Sequence, residues 1–309
     1  MKYAYLRKIC AFLSVILAIT VCLSGCGEDS GDEEAQAQKD YYSAKISYPG
    51  PAGSHSQEAC EQYFNKKGEY IPYKTVTEAV EALTSGECDY AVIPQENSVD
   101  GIFSEAVDIL ISTKALSIEG EVELTIKQNL LVLPGTELDD IKTVYSDKQG
   151  FDQSREWLAE NLPDAKLVEV PGSADGAKKV SKSKEKNCAA IASVCSSRLY
   201  SLNIIEANIQ KNNKNKTRFY VLSMEAPSIQ RSGRLVFIAS GNAEDLPSLI
   251  TRIKDQDLVL VAIHDRPLRT SIGEYNYLIE CADGGYRDYE KLIKNSPFTF
   301  RFLGCYNAP

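Results

Sequence analysis

The sequence is short of positive charge. Its 34 Lys and Arg residues face 43 Asp and Glu, for a formal net charge of -9. That balance excludes a general nucleic-acid binder, which needs a basic face to displace counterions from phosphates. It leaves room for a small anionic substrate, because a few cationic side chains and helix N-termini make one pocket positive within an acidic surface. Closely spaced cysteine pairs are missing beyond residue 26 as well, which excludes a structural zinc site there. Of the nine cysteines, Cys10 and Cys22 fall in the first segment and Cys26 follows it. The other six (Cys60, Cys88, Cys188, Cys195, Cys281 and Cys305) are scattered through apolar runs and read as buried free thiols. Internal repeats and low-complexity tracts are absent beyond residue 43. With 309 residues and apolar, charged and aromatic fractions of 43%, 25% and 9%, the chain reads as an ordinary globular protein of two or three compact units.

The one long apolar run stops short of a membrane span. Lys2, Arg7 and Lys8 make a basic start, and residues 9–23 are almost wholly apolar. A spanning helix needs about 20 such residues, so the run fits the hydrophobic region of an export signal. It ends in Leu23-Ser24-Gly25-Cys26, which resembles the lipobox of bacterial lipoproteins. The resemblance implies removal of a signal peptide, 1–25, and lipidation of Cys26. Such acylation would anchor the chain to the outer side of the bacterial cell membrane. Residues 26–42 form an acidic linker with little apolar content, a solvated tether.

From about residue 43 to 227, short strand-like runs alternate with amphipathic helices, which predicts an α/β fold with parallel strands. Strands are expected at 44–48, 89–94, 166–170, 189–192 and 218–223. Helices are expected from Ser54 as N-cap to about residue 67, and at 77–85, 151–161 and 174–182. A polar break at 225–233 separates this region from 232–309. There the order is strand, helix, strand, strand, helix, strand, a βαββαβ ferredoxin-like arrangement.

Four segments carry chemistry. Gly50-Pro51-Ala52-Gly53-Ser54-His55-Ser56 is a Gly/Pro loop opening onto a helix N-terminus, whose free amides favour anions. Read alone it is an ordinary turn. Pro94-Gln95-Glu96-Asn97-Ser98 follows a buried strand, where polar residues commonly cap a turn. Ser173-Ala174 opens a helix, with Ser173 a helix cap, a ligand contact, or both. In Asn215-Lys216-Thr217-Arg218-Phe219, a hydroxyl and a guanidinium adjoin at a strand start. In this order and spacing the set resembles the prephenate dehydratase family. Asn129-Leu130-Leu131, Trp157-Leu158 and Leu199-Tyr200-Ser201-Leu202 extend the likeness.

The resemblance implies a bilobed catalytic region over 43–227, similar to periplasmic binding proteins, and an enzyme that turns prephenate into phenylpyruvate with no metal or organic cofactor. Prephenate has two carboxylates and a ring hydroxyl. The enzyme must bind two negative charges, assist the departing hydroxyl and exclude water. Thr217 is then expected to hydrogen-bond the leaving oxygen, and Arg218 to pair with a carboxylate in fork geometry, with Phe219 completing the catalytic triplet. Gly53, Ser54, Ser56, Asn97, Ser98, Ser173 and Asn215 are expected to line the substrate pocket. Departures from the family pattern are Ser54 for Thr, His55 for an aromatic, Gln128 for His, and Asp147-Lys148-Gln149 without its His.

Residues 232–309 resemble an ACT domain, the family's phenylalanine sensor, with Leu246, Asp265, Arg266 and Pro267 at the effector positions. Its usual Gly-Ala-Leu turn reads Glu244-Asp245-Leu246 here, so inhibition by L-phenylalanine is expected to be weak or absent. The resemblance also implies a homodimer or tetramer. An alternative of another class is a non-catalytic, membrane-anchored lipoprotein that binds an aromatic acid or amino acid.

Overall fold

Residues 41–309 are described by a computed structural model; the expected signal peptide, Cys26 and nearly all of the acidic linker lie outside the described residues. The first strand, β1 (Lys45–Pro49), leads through the Gly/Pro loop into α1 (His55–Tyr63), whose N-cap Ser54 accepts from the Gln57 amide. Then come β2 (Glu69–Tyr73), α2 (Val76–Thr84) capped by Thr75, β3 (Tyr90–Asn97), the short β4 (Gly101–Ile102), α3 (Ser104–Ser112) and β5 (Ser117–Thr125). The chain crosses into a second lobe and forms β6 (Asn129–Val132), β7 (Thr143–Ser146) and α4 (Lys148–Asn161). β8 (Lys166–Glu169), α5 (Ser173–Ser181), β9 (Cys188–Ala192), α6 (Val194–Leu199) and β10 (Asn203–Glu206) complete that lobe. It returns as β11 (Lys216–Ser223) to the first lobe.

The first lobe's sheet runs β2-β1-β3-β11-β5, with β4 on β3, and the second lobe's runs β10-β6-β9-β7-β8. The fold class agrees with expectation, but parallel pairing is confined to β2-β1-β3 and β9-β7-β8. The remaining strands pair antiparallel. The cause is the crossing: β5 leaves the first lobe and β11 re-enters it, while β6 enters the second and β10 leaves. Each such pair must run in opposite directions.

Beyond residue 230 the expected βαββαβ order is present: β12 (Gly233–Asn242), α7 (Leu246–Asp255), β13 (Val259–Pro267), β14 (Glu274–Gly284), α8 (Tyr286–Ile293) and β15 (Thr299–Tyr306). The sheet order β13-β14-β12-β15, antiparallel throughout, is the split ferredoxin-like arrangement. One sheet face buries Leu235, Phe237 and Ile279 with Leu249, Ile253 and Leu292 of its own helices. The other face places Val236, Ile238, Leu278 and Tyr306 in one cluster with Ile93, Ile118, Tyr220 and Leu222 of the first lobe. All six expected thiols are buried and free.

Candidate active site

The ends of β3 and β11 lie side by side, with Thr217 opposite Asn97. Asn97 is 2% exposed, and every polar atom of its side chain is engaged. Its Oδ1 accepts from the Val99 and Asp100 amides at 2.8 and 3.0 Å. Backbone N–H groups only donate, so this fixes the amide's orientation and leaves Nδ2 as the donor to Thr217 Oγ1 (2.8 Å) and Asn215 Oδ1 (2.9 Å). Two consequences follow. Thr217 Oγ1 uses a lone pair on Asn97, and no acceptor among the described residues takes its proton. Asn215 must turn Oδ1 toward Asn97 and Ser98, which leaves its buried Nδ2 with no partner. Ser98 closes the strand ends, its Oγ accepting from the Lys216 amide at 3.0 Å.

Asn215 lines a cavity of about 520 Å³ between the lobes, with Val99 and Asp100 from the first and Lys148, Gln149, Asp152 and Gln153 from the second. Lys211 and Asn212, from the returning segment, complete it. Gln153 is held through Oε1 by Gln128 at 3.0 Å, and its buried Nε2 is a second amide donor with no partner. The cations here are Lys148, paired with Asp152 at 2.6 Å, and Lys211, paired with Glu156. Both lysines are more than two-thirds exposed. Such surface pairs contribute little, so either lysine can exchange its partner for an incoming carboxylate at small cost. Gln149 reaches across the mouth to the Asp100 carboxylate.

The Gly50–Ser56 loop meets α6 instead of standing open. Gly53 has φ +89, and a Cβ there would stand 2.8 Å from Ser196 Oγ. Its carbonyl accepts from Ser193 Oγ at 2.6 Å and Ser196 Oγ at 2.8 Å, and Tyr200 donates to the Ala52 carbonyl at 3.0 Å. Glycine is needed because α6 approaches so closely at a left-handed backbone. Ser54 is used as the α1 cap, while Ser56 lies half-buried in its first turn. His55 points its Nε2 toward the Lys127 carbonyl (3.3 Å) in the lobe crossing. The neighbouring Glu58 carboxyl is pushed up by burial, an effect that His55 opposes. Ser173 is the first residue of α5, and Gly172 occupies the cap position beside Pro51, so the capping reading of Ser173 is not met.

A family model described as "Prephenate dehydratase" matches residues 46–227. The chain belongs to the prephenate dehydratase family. A prephenate dehydratase of Lactococcus lactis is 31% identical over 242 residues, covering 76% of this chain and 86% of the relative. The structure of a prephenate dehydratase from Arthrobacter aurescens in complex with L-Phe superposes with a TM-score of 0.74 at 26% identity, covering 85% of this chain and 89% of that one. A structure described as a quorum quenching acylase, GqqA, shares the fold at 22% identity and a TM-score of 0.75, with 86% and 98% covered.

Within this family's signature triplet the structure separates what the sequence adjoins. Thr217 faces Asn97 and Asn215, but Arg218 lies on the other face of β11. There its guanidinium meets Glu280 (2.6 Å), Glu96 (3.0 Å) and Glu121 (3.5 Å). The expected fork with a substrate carboxylate is replaced by a fork with the chain's own Glu280. Phe219 is buried in the core with Tyr48, Val92 and Val122, so its contribution is packing beneath Thr217. Of the residues expected to contact an effector, Leu246 packs on the module's own core. Asp265 and Pro267 lie on β13 opposite Tyr277 and Tyr275. Arg266 donates from Nε to Asp108 of α3 at 2.7 Å, tying the module to the first lobe. Of the other lining residues, Lys148 and Gln149 belong to the segment where the family pattern has its His, whereas Gln153 and Lys211 carry no motif signal. The latter two sit on helix and return segments whose sequence is that of any solvated surface.

Proposed function

We propose that this chain is a prephenate dehydratase. The observation that carries the reading is the Thr217 hydroxyl: Asn97 fixes its oxygen, no acceptor among the described residues takes its proton, and the same Asn97 amide holds Asn215, a cavity-lining residue whose Nδ2 has no partner. In the reaction the bond to the ring carboxylate breaks and its electron pair enters the ring. The ring C–O bond breaks in turn and the oxygen leaves as hydroxide, which takes its proton from solvent, so prephenate yields phenylpyruvate, carbon dioxide and water. Thr217 and Asn215 aim donors at the oxygen on which negative charge develops, where preorganised hydrogen bonds are most effective. A threonine hydroxyl is too weak an acid to give up its proton outright, so orientation is its role. Lys148 and Lys211 supply positive charge for the carboxylates, and Gln149 and Asp100 close the mouth against water. Thr217→Ala should lower kcat by about a hundredfold or more with KM nearly unchanged, the pattern of a lost transition-state donor. Phenylpyruvate formation from prephenate reads this directly. A variant that keeps its affinity for aromatic acids, beside a wild type without turnover, would support a binding lipoprotein instead.

The lipobox-like Leu23-Ser24-Gly25-Cys26 supports a lipid anchor outside the cell membrane. The βαββαβ module supports an ACT-type regulatory domain over 232–309. Glu244 brings a side chain to the turn where a glycine backbone would approach an amino acid, so phenylalanine binding is weak. Titration calorimetry with L-phenylalanine should show no micromolar binding, and strong inhibition at that concentration would refute the assignment. The family likeness supports assembly as a homodimer or tetramer.

A further inference from the structure

Glu280 is fully buried (0% exposed) on the face of β14 that otherwise presents Leu278 to the shared apolar cluster. A lone carboxylate there would be strongly unfavourable, so its partners define it. Oε2 accepts from Arg218 Nη1 at 2.6 Å. Oε1 accepts from Tyr220 Oη at 2.6 Å, Gln95 Nε2 at 3.0 Å and Arg218 Nη2 at 3.2 Å. These partners all come from β3 and β11, the two strands whose ends carry Asn97 and Thr217. Burial alone would pull the Arg218 pKa down, but Glu280 outweighs it and holds the guanidinium charged.

The strand register shows why this reaches the cleft. Thr217 pairs with Asn97 and Arg218 with Glu96, yet Phe219 pairs with Pro94, so Gln95 is the extra residue of a bulge. A bulge turns successive side chains to one side and re-aims those beyond it. Here Gln95 and Glu96 both face the Arg218–Glu280 pair, and Asn97 is released toward Thr217. The bulge leaves the β3–β11 ladder irregular next to the reactive hydroxyl, and Glu280 bonds to both sides of it.

We propose that Glu280 of the C-terminal module is a positioning residue for the cleft: by clamping Arg218 and Gln95 it fixes β11 against β3 at the bulge and thereby fixes the Thr217–Asn97 pair. Arg218 is its intermediary, a positioning residue in place of a substrate ligand. The kinetic consequence rests on the dehydratase reading, whereas the structural one does not. An apolar pair would fill the same space, but it could not lock rotation as two guanidinium hydrogen bonds do.

The test uses the full chain with Glu280→Gln, Arg218→Met, Glu280→Met and the double Met variant, read by steady-state kinetics and by amide hydrogen exchange. Glu280→Gln keeps volume and removes charge. It should lower kcat by about tenfold to a hundredfold, the scale of a small misplacement, with KM within about twofold. The double variant should be no slower than Arg218→Met alone, because both changes remove one clamp. Exchange at the Asn97 and Thr217 amides should quicken in Glu280→Gln while β7 and β9 stay unchanged. A tenfold rise in KM in both Arg218→Met and the double variant, with Glu280→Gln at full kcat, would overturn the proposal in favour of a substrate-binding Arg218. Faster exchange throughout the chain would overturn it in favour of a merely stabilising ion pair. If the wild type does not consume prephenate, the dehydratase reading fails, and the local exchange at Asn97 and Thr217 still decides the positioning role.

Discussion

The first lobe has two neighbours and meets them by different chemistry. Against the C-terminal module it shares a continuous apolar cluster, in which Val236, Ile238 and Leu278 interleave with Ile93, Ile118 and Tyr220. Around that cluster Arg301 donates to the carbonyls of Leu110 in α3 and of Thr113 just past its end, and Tyr306 donates to Glu121 at 3.1 Å. Against the second lobe no buried apolar cluster among the described residues is shared. The contacts there are hydroxyls on the Gly53 carbonyl, Tyr200 on Ala52, Arg198 on Glu61 at 2.5 Å, and Gln149 on Asp100. Apolar surface cannot be exposed without a large cost, whereas polar contacts exchange with water at little net cost. The module is therefore welded to the lobe that holds Thr217, while the cleft between the lobes is free to open and admit substrate.

Substitutions in each interface sharpen that contrast. Leu278→Ala, in the weld, should cost about 2–5 kcal/mol, as a buried leucine deleted from a packed core does. Thermal unfolding should still show the first lobe and module melting together; an independent module transition would break the comparison. Gly53→Ala acts on the polar interface. The strained backbone and the contact with Ser196 should cost about 1–3 kcal/mol, with faster amide exchange in the Gly53 loop and α6 and none in β14. The smallest effect concerns His264, on the module's edge strand, where burial lowers the imidazole pKa against the opposing pull of Glu280. The folded state therefore prefers neutral His264, and the unfolded chain takes up the proton first. Stability from this group is present above the ordinary histidine value of about 6.5 and declines as pH falls below it. A His264→Asn chain should show a flatter loss of melting temperature between neutral and mildly acidic pH, and an unchanged slope would show that His264 does not set the acid sensitivity of the fold.

Much of the fold was legible locally. Ser54 caps its helix as its position before an amphipathic run requires, whereas the Thr75 cap and the short helix behind Ser193 emerge only in the structure. The α4 helix begins earlier than periodicity indicated, because Asp147 accepts from the Gly150 amide and starts it at Lys148. The direction of the strands was misjudged, since alternation of strand and helix says nothing of where a chain crosses between lobes. Within the site, Thr217, Asn97, Ser98 and Asn215 were found by motif and are brought together, because β3 and β11 pair at their ends. Arg218 adjoins Thr217 in sequence but lies on the opposite face of β11, where it pairs with Glu280, because neighbours in a strand point to opposite faces.

By itself, then, the sequence determined the α/β and βαββαβ patterns, the family, and the residues that gather at the strand ends. These follow from hydrophobic period, caps and motif spacing, all of which act over a few residues along the chain. Tertiary structure alone decided that Glu280, 62 residues from Arg218, would be its counter-ion, and that Gln153 and Lys211 would face the cavity. A buried charge finds its partner only when two sheets close on each other. That pairing depends on desolvation across an interface, and no local pattern in the chain records it.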